Sequence, residues 1–545
     1  MPTTQQLADL QSLAKALSQA EKSNNTEAQI RLYKKLLKLT PDLALAHAQL
    51  AHLYMERKDE LAALPHIEHA LALPPEIKVD QTLFNHLSKS QRFINNLPQA
   101  QQWFDAAPNL WRFTLLHEAL NKVNDQEARE RLIHQMLESE LTPSEQAQVL
   151  VLLAQLYYAQ ARYHDSIGCY QLALQLRPND KSQLLNIAAT LEQVGRYQEA
   201  FDYYQQVLAL EPEHTGTHHN LALIMLRLGE FEAGWKHHEW RWVRAQIDQY
   251  QEFSIPRWQG EPLDGKSLLV WAEQGIGDHI MFASMLNELK AMGGTLHFEI
   301  YARLDTLFQR SFSGVNFIQR EQQGSEEHGN VQLFKQSWPQ SDYQIPMASL
   351  AAIFRPSLES FPAQKQYLRA DEVQSAIFRR DYQDLFPGKR LIGVSWRGGG
   401  TVQNDKQSRL IPMADLQILA SLPNVQLIDL QYGDTREELA EARRCGVHIH
   451  HDKRVDPKRE LDNQAAQISA LDAVVSIDNT TVHLSGALGI ATYILAPLNP
   501  CWRWGLNEGT TYWYGNAKII RNRGLNDWKD ALMRTADLLK IDTII

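Results

Sequence analysis

Residues 174–180 read LQLRPND and residues 208–214 read LALEPEH, and their prolines, Pro178 and Pro212, stand 34 residues apart. The same interval governs the residues between. Counting back from Pro178 sets Leu153, Ala154, Tyr157, Tyr170 and Ala173 at inward positions; from Pro212 the matching positions hold Ile187, Ala188, Leu191, Gly195, Tyr197, Ala200 and Tyr204. A third copy carries Leu221, Ala222, Gly229 and Phe231. Near the start, Pro41 and Pro75 are again 34 apart, with Leu50, Ala51, Tyr54, Ala63 and Ala70 between them. Small residues let paired helices approach, large ones fill the groove, glycine ends the first helix and proline closes the second. Tyr, Leu and Ala at such spacings are packing residues.

A helix pair recurring every 34 residues has the period of the tetratricopeptide repeat. The expected first region is therefore an α-helical solenoid over residues 1–245, irregular at 76–146, where the pattern stays helical but drifts from the period. Solenoids hold extended peptides on their concave surface. The array ends in FEAGWKHHEWRWVRAQ, residues 231–246, where Trp235, Trp240 and Trp242 read as the seam with the second domain. Carbohydrate stacking is the lesser reading of that cluster.

From about residue 268 the pattern changes to short β-rich runs alternating with helical ones: SLLVWA, TLHFEIYA, VNFIQR and DYQIP. After the Pro-bearing connector at 358–374 it restarts with RLIGVSW, VQLIDLQ, VHIHH, DAVVSID and ATYILAP. Such alternation predicts parallel sheets with crossover helices, hence two Rossmann-like α/β lobes, 246–365 and 366–545, with ligands gathered at the carboxyl ends of the strands.

Three segments at those ends carry chemistry. In VVSIDNTTVHLSGALG, residues 474–489, the apolar run stops at Ile477, and Asp478, Asn479, Thr480 and Thr481 precede a helical stretch. Helix-start amides with hydroxyl side chains suit a phosphate, although the same residues serve equally as an ordinary N-cap. His483 follows on that helix, where a lone histidine is more often simply packed. In VSWRGGGTVQNDKQSRL, Trp396 and Arg397 end a strand, Gly398–Gly400 permit close backbone approach, and Lys406 and Arg409 follow on a loop suited to an anion or merely solvated. In APLNPCWRWGLNEGTTYWYG, Arg503 stands among Trp502, Trp504, Trp513 and Tyr514, which suits a nucleobase, a sugar carboxylate or a lid packed on itself. HIHHD, residues 448–452, has histidines but no completed ligand spacing, so no metal is expected.

A fourth segment, AEQGIGDHIMFA at 272–283, follows the run SLLVW. Gly275 and Gly277 give G-x-G between strand and helix, but position 280 is Ile, so a dinucleotide fingerprint is incomplete. Taken in order, EQGIGDHIMFA, DNTTVHLSGALG and CWRWGL resemble the GT-B glycosyltransferases, specifically the heptosyltransferase-like module that follows tetratricopeptide repeats in many bacterial proteins. Repeats before such a module also resemble the protein O-linked N-acetylglucosamine transferases and, more closely, bacterial flagellin glycosyltransferases that use nonulosonic acids such as pseudaminic or legionaminic acid.

The resemblance implies a nucleotide sugar in the C-terminal lobe, an acceptor facing the N-terminal lobe, and no metal or other cofactor. It puts the base on Asp278, with His279, which stands where the family often has an apolar residue, as second choice. It puts nucleotide contacts on Asn479, Thr480, Thr481 and His483, with Asp478, Trp396, Arg397, Lys406, Arg409 and Arg503 completing the donor side. Gly275 and Gly277 fall on the acceptor side. The expected function is transfer of a sugar, leaning to a CMP-nonulosonic acid, onto Ser or Thr of a protein, flagellin foremost, held by the repeats. The alternatives are a non-catalytic scaffold and a UDP-, GDP- or ADP-sugar transferase with another acceptor.

Composition limits the partners. A net charge of −10 without a basic run argues against nucleic acid. Only Cys169, Cys445 and Cys501 occur, which suits a reducing compartment. No apolar stretch has the length of a membrane span, and the N-terminus lacks the pattern of a signal peptide, so a cytoplasmic protein is expected.

Overall fold

Each helix pair of the repeat region must reverse the chain within two or three residues, and the backbone shows how. In a computed structural model of the chain, residues 4–72, 97–106, 108–242, 253–273, 275–320, 338–362, 364–398, 409–524 and 527–541 are described. Pro75, Gly399, Gly400, Lys406 and the 245/246 boundary lie outside them. The residue just beyond the first helix of a pair is left-handed: Asn24, Lys58, Asn124, Ala161, Gly195 and Gly229 all have φ between 49° and 88°. Intervals of 34 residues separate 24 from 58, 161 from 195 and 195 from 229, so the turn itself keeps the period. Glycine meets the requirement without strain at only two of these turns.

The chain divides into two compact units, residues 1–190 and 191–545. In the first, helices Ala44–Glu56 and Glu60–Ala72 pair, as do Pro143–Ala159 and Tyr163–Leu176. Leu50, Ala51, Tyr54, Ala63 and Ala70 are buried, as are Leu153, Ala154, Tyr157, Tyr170 and Ala173, the inward set that the spacing predicts. Thr142 caps its helix reciprocally with Glu145, the backbone N–H of Thr142 donating to Glu145 Oε2 at 2.9 Å. His47 Nε2 bonds the Pro41 carbonyl at 2.8 Å while its Nδ1 meets His66 Nδ1 at 3.0 Å.

The second unit opens with repeat helices of the same kind, Tyr197–Leu210, Thr215–Leu228 and Phe231–His238. The histidine arrangement recurs there: His218 Nε2 bonds the Pro212 carbonyl at 2.7 Å and its Nδ1 meets His237 Nδ1 at 2.8 Å. The two α/β lobes follow. β1 (Ser267–Trp271), β2 (Thr295–Ile300), β3 (Asn316–Gln319) and β4 (Tyr343–Pro346) form a parallel sheet in the order 3-2-1-4. β5 (Arg390–Ser395), β6 (Val425–Asp429), β7 (Ile449–His450), β8 (Ala473–Ile477), β9 (Thr492–Ala496), β10 (Gly509–Thr510) and β11 (Ala517–Arg521) form a second sheet in the order 10-11-9-8-5-6-7, parallel except for β10.

All nine runs named from the sequence are strands, but the loop after ATYILAP does not close the sheet. β11 pairs in parallel with β9 and extends that edge. Its sequence, AKIIR, is only five residues long, between Gly515-Asn516 and Asn522-Arg523-Gly524, and is not among the runs named from the sequence. Trp235 makes the seam between repeat helices and lobes: it is buried, its indole N–H donates to the Arg355 carbonyl at 2.8 Å, and Trp502 meets it edge-on at 5.5 Å. Arg227 Nε donates to the Pro500 carbonyl at 3.0 Å beside it. Among the described residues no helix is long and apolar enough to cross a membrane.

Candidate functional site

In each sheet the strand order reverses at one place, between β1 and β4 in the first and between β5 and β8 in the second. A crevice opens at the carboxyl ends there because neighbouring connections leave in opposite directions. Both switch points of this protein carry the residues that the sequence singles out.

At the second sheet, Asn479 caps the Thr480–Ala487 helix and joins the two strands. Its Oδ1 accepts from the Thr481 N–H at 2.9 Å, and its Nδ2 donates to Ser395 Oγ at 2.7 Å and the Arg397 carbonyl at 3.1 Å. Gln431, which sequence reasoning missed, completes the joint: its Oε1 accepts from the Trp396 and Arg397 N–H groups, each at 2.9 Å. Its only sequence signal is its place at the end of the VQLIDLQ run. Trp396 itself is fully buried in the core of this lobe. Arg397 is ion-paired with Glu438 at 2.5 Å, and Arg409 bonds the Asp478 carbonyl and lies 3.6 Å from its carboxylate.

At the first sheet, Gly275 has φ +65° and the Ile276–Phe282 helix begins behind it. Asp278 stands in its first turn, with Oδ1 accepting from Arg503 Nε at 2.9 Å and from the other end of that guanidinium. Among the described residues Oδ2 takes no hydrogen bond. A Cβ on Gly277 would lie 2.9 Å from His483 Cδ2, so this glycine lets the helices starting from the two switch points touch. His279 points the other way: it is wholly buried, its Nδ1 bonds the Gly275 carbonyl at 3.0 Å, and its ring packs on Tyr301. The structure thus separates Asp278, the first choice of base from the sequence, from the adjacent His279, its second choice: only Asp278 reaches the cavity that both switch points line.

These groups line one cavity of about 1000 Å³. Gly275, Gly277, Asp278, Arg397, Arg409, Asp478, Asn479, Thr480, Thr481, His483 and Arg503 all reach it; Trp396 and His279 do not. Arg303, at the carboxyl end of β2, reaches it too and was not read from the sequence. Its guanidinium donates to the Pro457 carbonyl at 3.3 Å and, among the described residues, meets no carboxylate.

The electrostatics are those of a desolvated site. Burial pushes the His483 ring down to about 3, with Arg503 and Arg409 adding to the shift, so it is neutral at pH 7 and free to bond Tyr514 Oη at 2.8 Å. Burial alone would lower Arg503, but Asp278, with Cys501 and Asp478, more than offsets it and raises the guanidinium above its ordinary value. Burial lowers His279 to about 4 and lifts the Glu299 carboxyl, which accepts from the Ala272 N–H at 2.7 Å, to about 7.

A second cavity, about 420 Å³, adjoins the first and shares Asp278, Cys501 and Arg503 with it. Its walls include Glu273 and Arg241, paired at 2.9 Å, and residues of the last repeat helices. Of the HIHHD segment, His451 Nδ1 bonds Asp429 at 2.8 Å, and Asp452 accepts from Tyr382 Oη at 2.9 Å and pairs with Arg454. Among the described residues no three His, Cys, Asp or Glu side chains stand together as metal ligands.

The tetratricopeptide repeat family model matches residues 149–184 and 183–215. The chain is 30% identical over 318 residues to Protein FlbA of Caulobacter vibrioides, covering 56% of this chain and 52% of that protein, so it spans about half the length of that curated relative. Among solved structures, the C-terminal part of a repeat protein from Cytophaga hutchinsonii is 16% identical at TM-score 0.32, covering 41% of this chain and 93% of that one. BtubC from P. vanneervenii is 18% identical at TM-score 0.25, covering 31% and 74%. The repeat assignment therefore stands on the family model and the buried 34-residue register.

Proposed function

We propose that the chain is a GT-B-type protein glycosyltransferase moving a sugar from a nucleotide donor to a Ser or Thr hydroxyl of a protein, flagellin foremost, recruited by the repeats. The observation that carries this reading is the shared cavity. An acid from one switch point, Asp278, and an anion-suited helix start from the other, Asp478–Thr481, line it together. Repeat arrays bind protein partners, which supports a protein acceptor.

In the proposed reaction the acceptor hydroxyl attacks the anomeric carbon and its proton passes to Asp278 Oδ2. The bond from the anomeric carbon to the phosphate oxygen breaks, and its electron pair stays with the phosphate. The start of the Thr480–Ala487 helix and Arg409 receive that charge. His279, buried behind the turn, positions Gly275 instead of taking a proton. A nonulosonic donor adds a sugar carboxylate, which calls for an arginine with open donors. Arg397, Arg409 and Arg503 already face Glu438, Asp478 and Asp278, so Arg303 takes that role.

Thermal-shift titration with CMP, UDP, GDP and ADP tests the donor class, and CMP is expected to stabilise most. A preference for UDP or GDP removes the nonulosonic version. Intact-mass measurement of flagellin co-expressed with and without the protein tests the reaction. A captured flagellin of unchanged mass, with no nucleotide bound, favours the scaffold reading.

A further inference from the structure

Asp278, Cys501 and Arg503 form the partition between the two cavities, and no other described residue touches both. A base must reach the acceptor and stand beside the reacting carbon at once, and the partition is where one carboxylate does so. We infer that the smaller cavity is the acceptor chamber, taking a short polypeptide segment that presents a Ser or Thr hydroxyl between small or apolar neighbours. The inference builds on the transferase reading and assigns its acceptor route: in past the Thr215–Leu228 and Phe231–His238 helices, away from the nucleotide side.

The lining selects this occupant. Its charges are already matched, Arg241 with Glu273 at 2.9 Å and Arg503 with Asp278, so an anionic acceptor such as a phosphorylated lipid or a polyacid finds no open cation among the described residues. Burial holds the His238 ring well below its ordinary value, with Arg241 adding to the shift, so it brings no charge near pH 7. Its indoles are engaged as well. Trp240 stacks on His218 at 3.8 Å, Trp242 lies under the Arg241 guanidinium at 4.3 Å, and Trp502 lies under Arg503 at 4.8 Å and meets Trp235 edge-on. A glycan acceptor stacks on an aromatic face, and each of these indoles already carries a ring or a guanidinium. Leu223, Phe282 and Met347 complete an apolar surround. A volume near 420 Å³ holds a few side chains and excludes a folded domain, so the hydroxyl arrives on an extended stretch.

Filling the chamber without touching the nucleotide cavity tests this. Thr215→Trp and Leu223→Trp each put an indole inside it, and neither residue lines the larger cavity. The expected result is CMP affinity and hydrolysis of the sugar nucleotide by water at wild-type levels, with transfer to purified flagellin lowered about tenfold or more through KM. Two folded variants that transfer at wild-type rates overturn the inference. Independently, a benzophenone amino acid in place of Trp240, a wall residue of similar bulk, is expected to crosslink flagellin, and one at Tyr432 in the nucleotide cavity is not. No crosslink from position 240, or transfer to a soluble oligosaccharide in preference to flagellin, also overturns it. If the wild-type protein binds no nucleotide, the transferase reading fails, and the crosslink from position 240 still decides the chamber's occupant.

Discussion

Asp278→Asn separates two effects that share one side chain. The substitution keeps the shape but removes the charge facing Arg503, whose Nε lies 2.9 Å from Oδ1. At that distance two unit charges attract by about 6 kcal/mol at an effective dielectric of about 20. The side chains are 19% and 23% exposed, and Arg503 keeps Cys501 Sγ at 2.7 Å and the Trp502 ring at 4.8 Å. Screening and those contacts reduce the expected loss of stability to about 2–3 kcal/mol. Loss of the proton acceptor lowers turnover by about 10²–10⁴-fold if Asp278 is the base. Urea unfolding reports the first effect and single-turnover transfer to flagellin the second, with nucleotide affinity measured alongside. Asp278→Leu combined with Arg503→Met is expected to recover much of the stability and none of the turnover. Turnover of Asp278→Asn within about threefold of wild type, with donor binding intact, refutes Asp278 as the base. Unchanged stability refutes the weight given to the ion pair.

Arg303→Met is expected to weaken a CMP-linked acidic sugar about tenfold or more while leaving CMP alone within about twofold, by calorimetric titration; equal losses for both assign Arg303 to the nucleotide. Gly277→Ala drives a methyl toward His483 Cδ2 at 2.9 Å and is expected to cost about 1–3 kcal/mol by urea unfolding, with no loss expected if the two helices part freely. Ala161, exposed at φ +57°, is expected to gain about 1 kcal/mol of stability on change to glycine; a loss counts against left-handed strain at that turn. His483 and His279 fall from an ordinary 6.5 to about 3 and about 4 in the folded protein, so their stabilisation is complete above pH 6.5 and declines as the pH falls toward 4, by up to about 1.4 kcal/mol per pH unit for each ring. Glu299, raised from 4.5 to about 7, runs the other way: its contribution is complete below pH 4.5 and is lost as the pH rises through 7. Urea unfolding of His279→Met between pH 4 and 6.5 is expected to show a shallower slope than wild type, and an identical slope excludes a buried neutral His279.

Much of this architecture is legible in one dimension because it is local or periodic. The 34-residue interval specifies which faces of the repeat helices are buried, and Leu153, Ala154, Ile187, Ala188, Leu221 and Ala222 are buried accordingly. Strand runs that are apolar on both faces announce parallel sheets, and strand-end polar clusters mark where ligands gather. The weak spots are elements whose signal is not local. β11 is such a case: its five residues are a short run, and it is the edge offered by β9 that makes them a strand.

What the tertiary structure decided is which neighbours in sequence become neighbours in function. Asp278 and His279 are adjacent in the chain, yet successive helical residues project about 100° apart, and one reaches the cavity while the other is sealed beneath it. Gly277 falls on the acceptor side in the sequence reading, but the space beside its Cα is occupied by His483, some two hundred residues away. Arg303 has no motif to betray it, and Gln431 and Glu273 lie in runs that say nothing of their roles; all three are gathered only when two switch points close on one another. The pairing of Arg397, Arg409 and Arg503 with carboxylates is likewise a three-dimensional fact. Periodicity is set by backbone geometry and can be counted; a charge pair between distant segments depends on folding to bring them within a few ångströms.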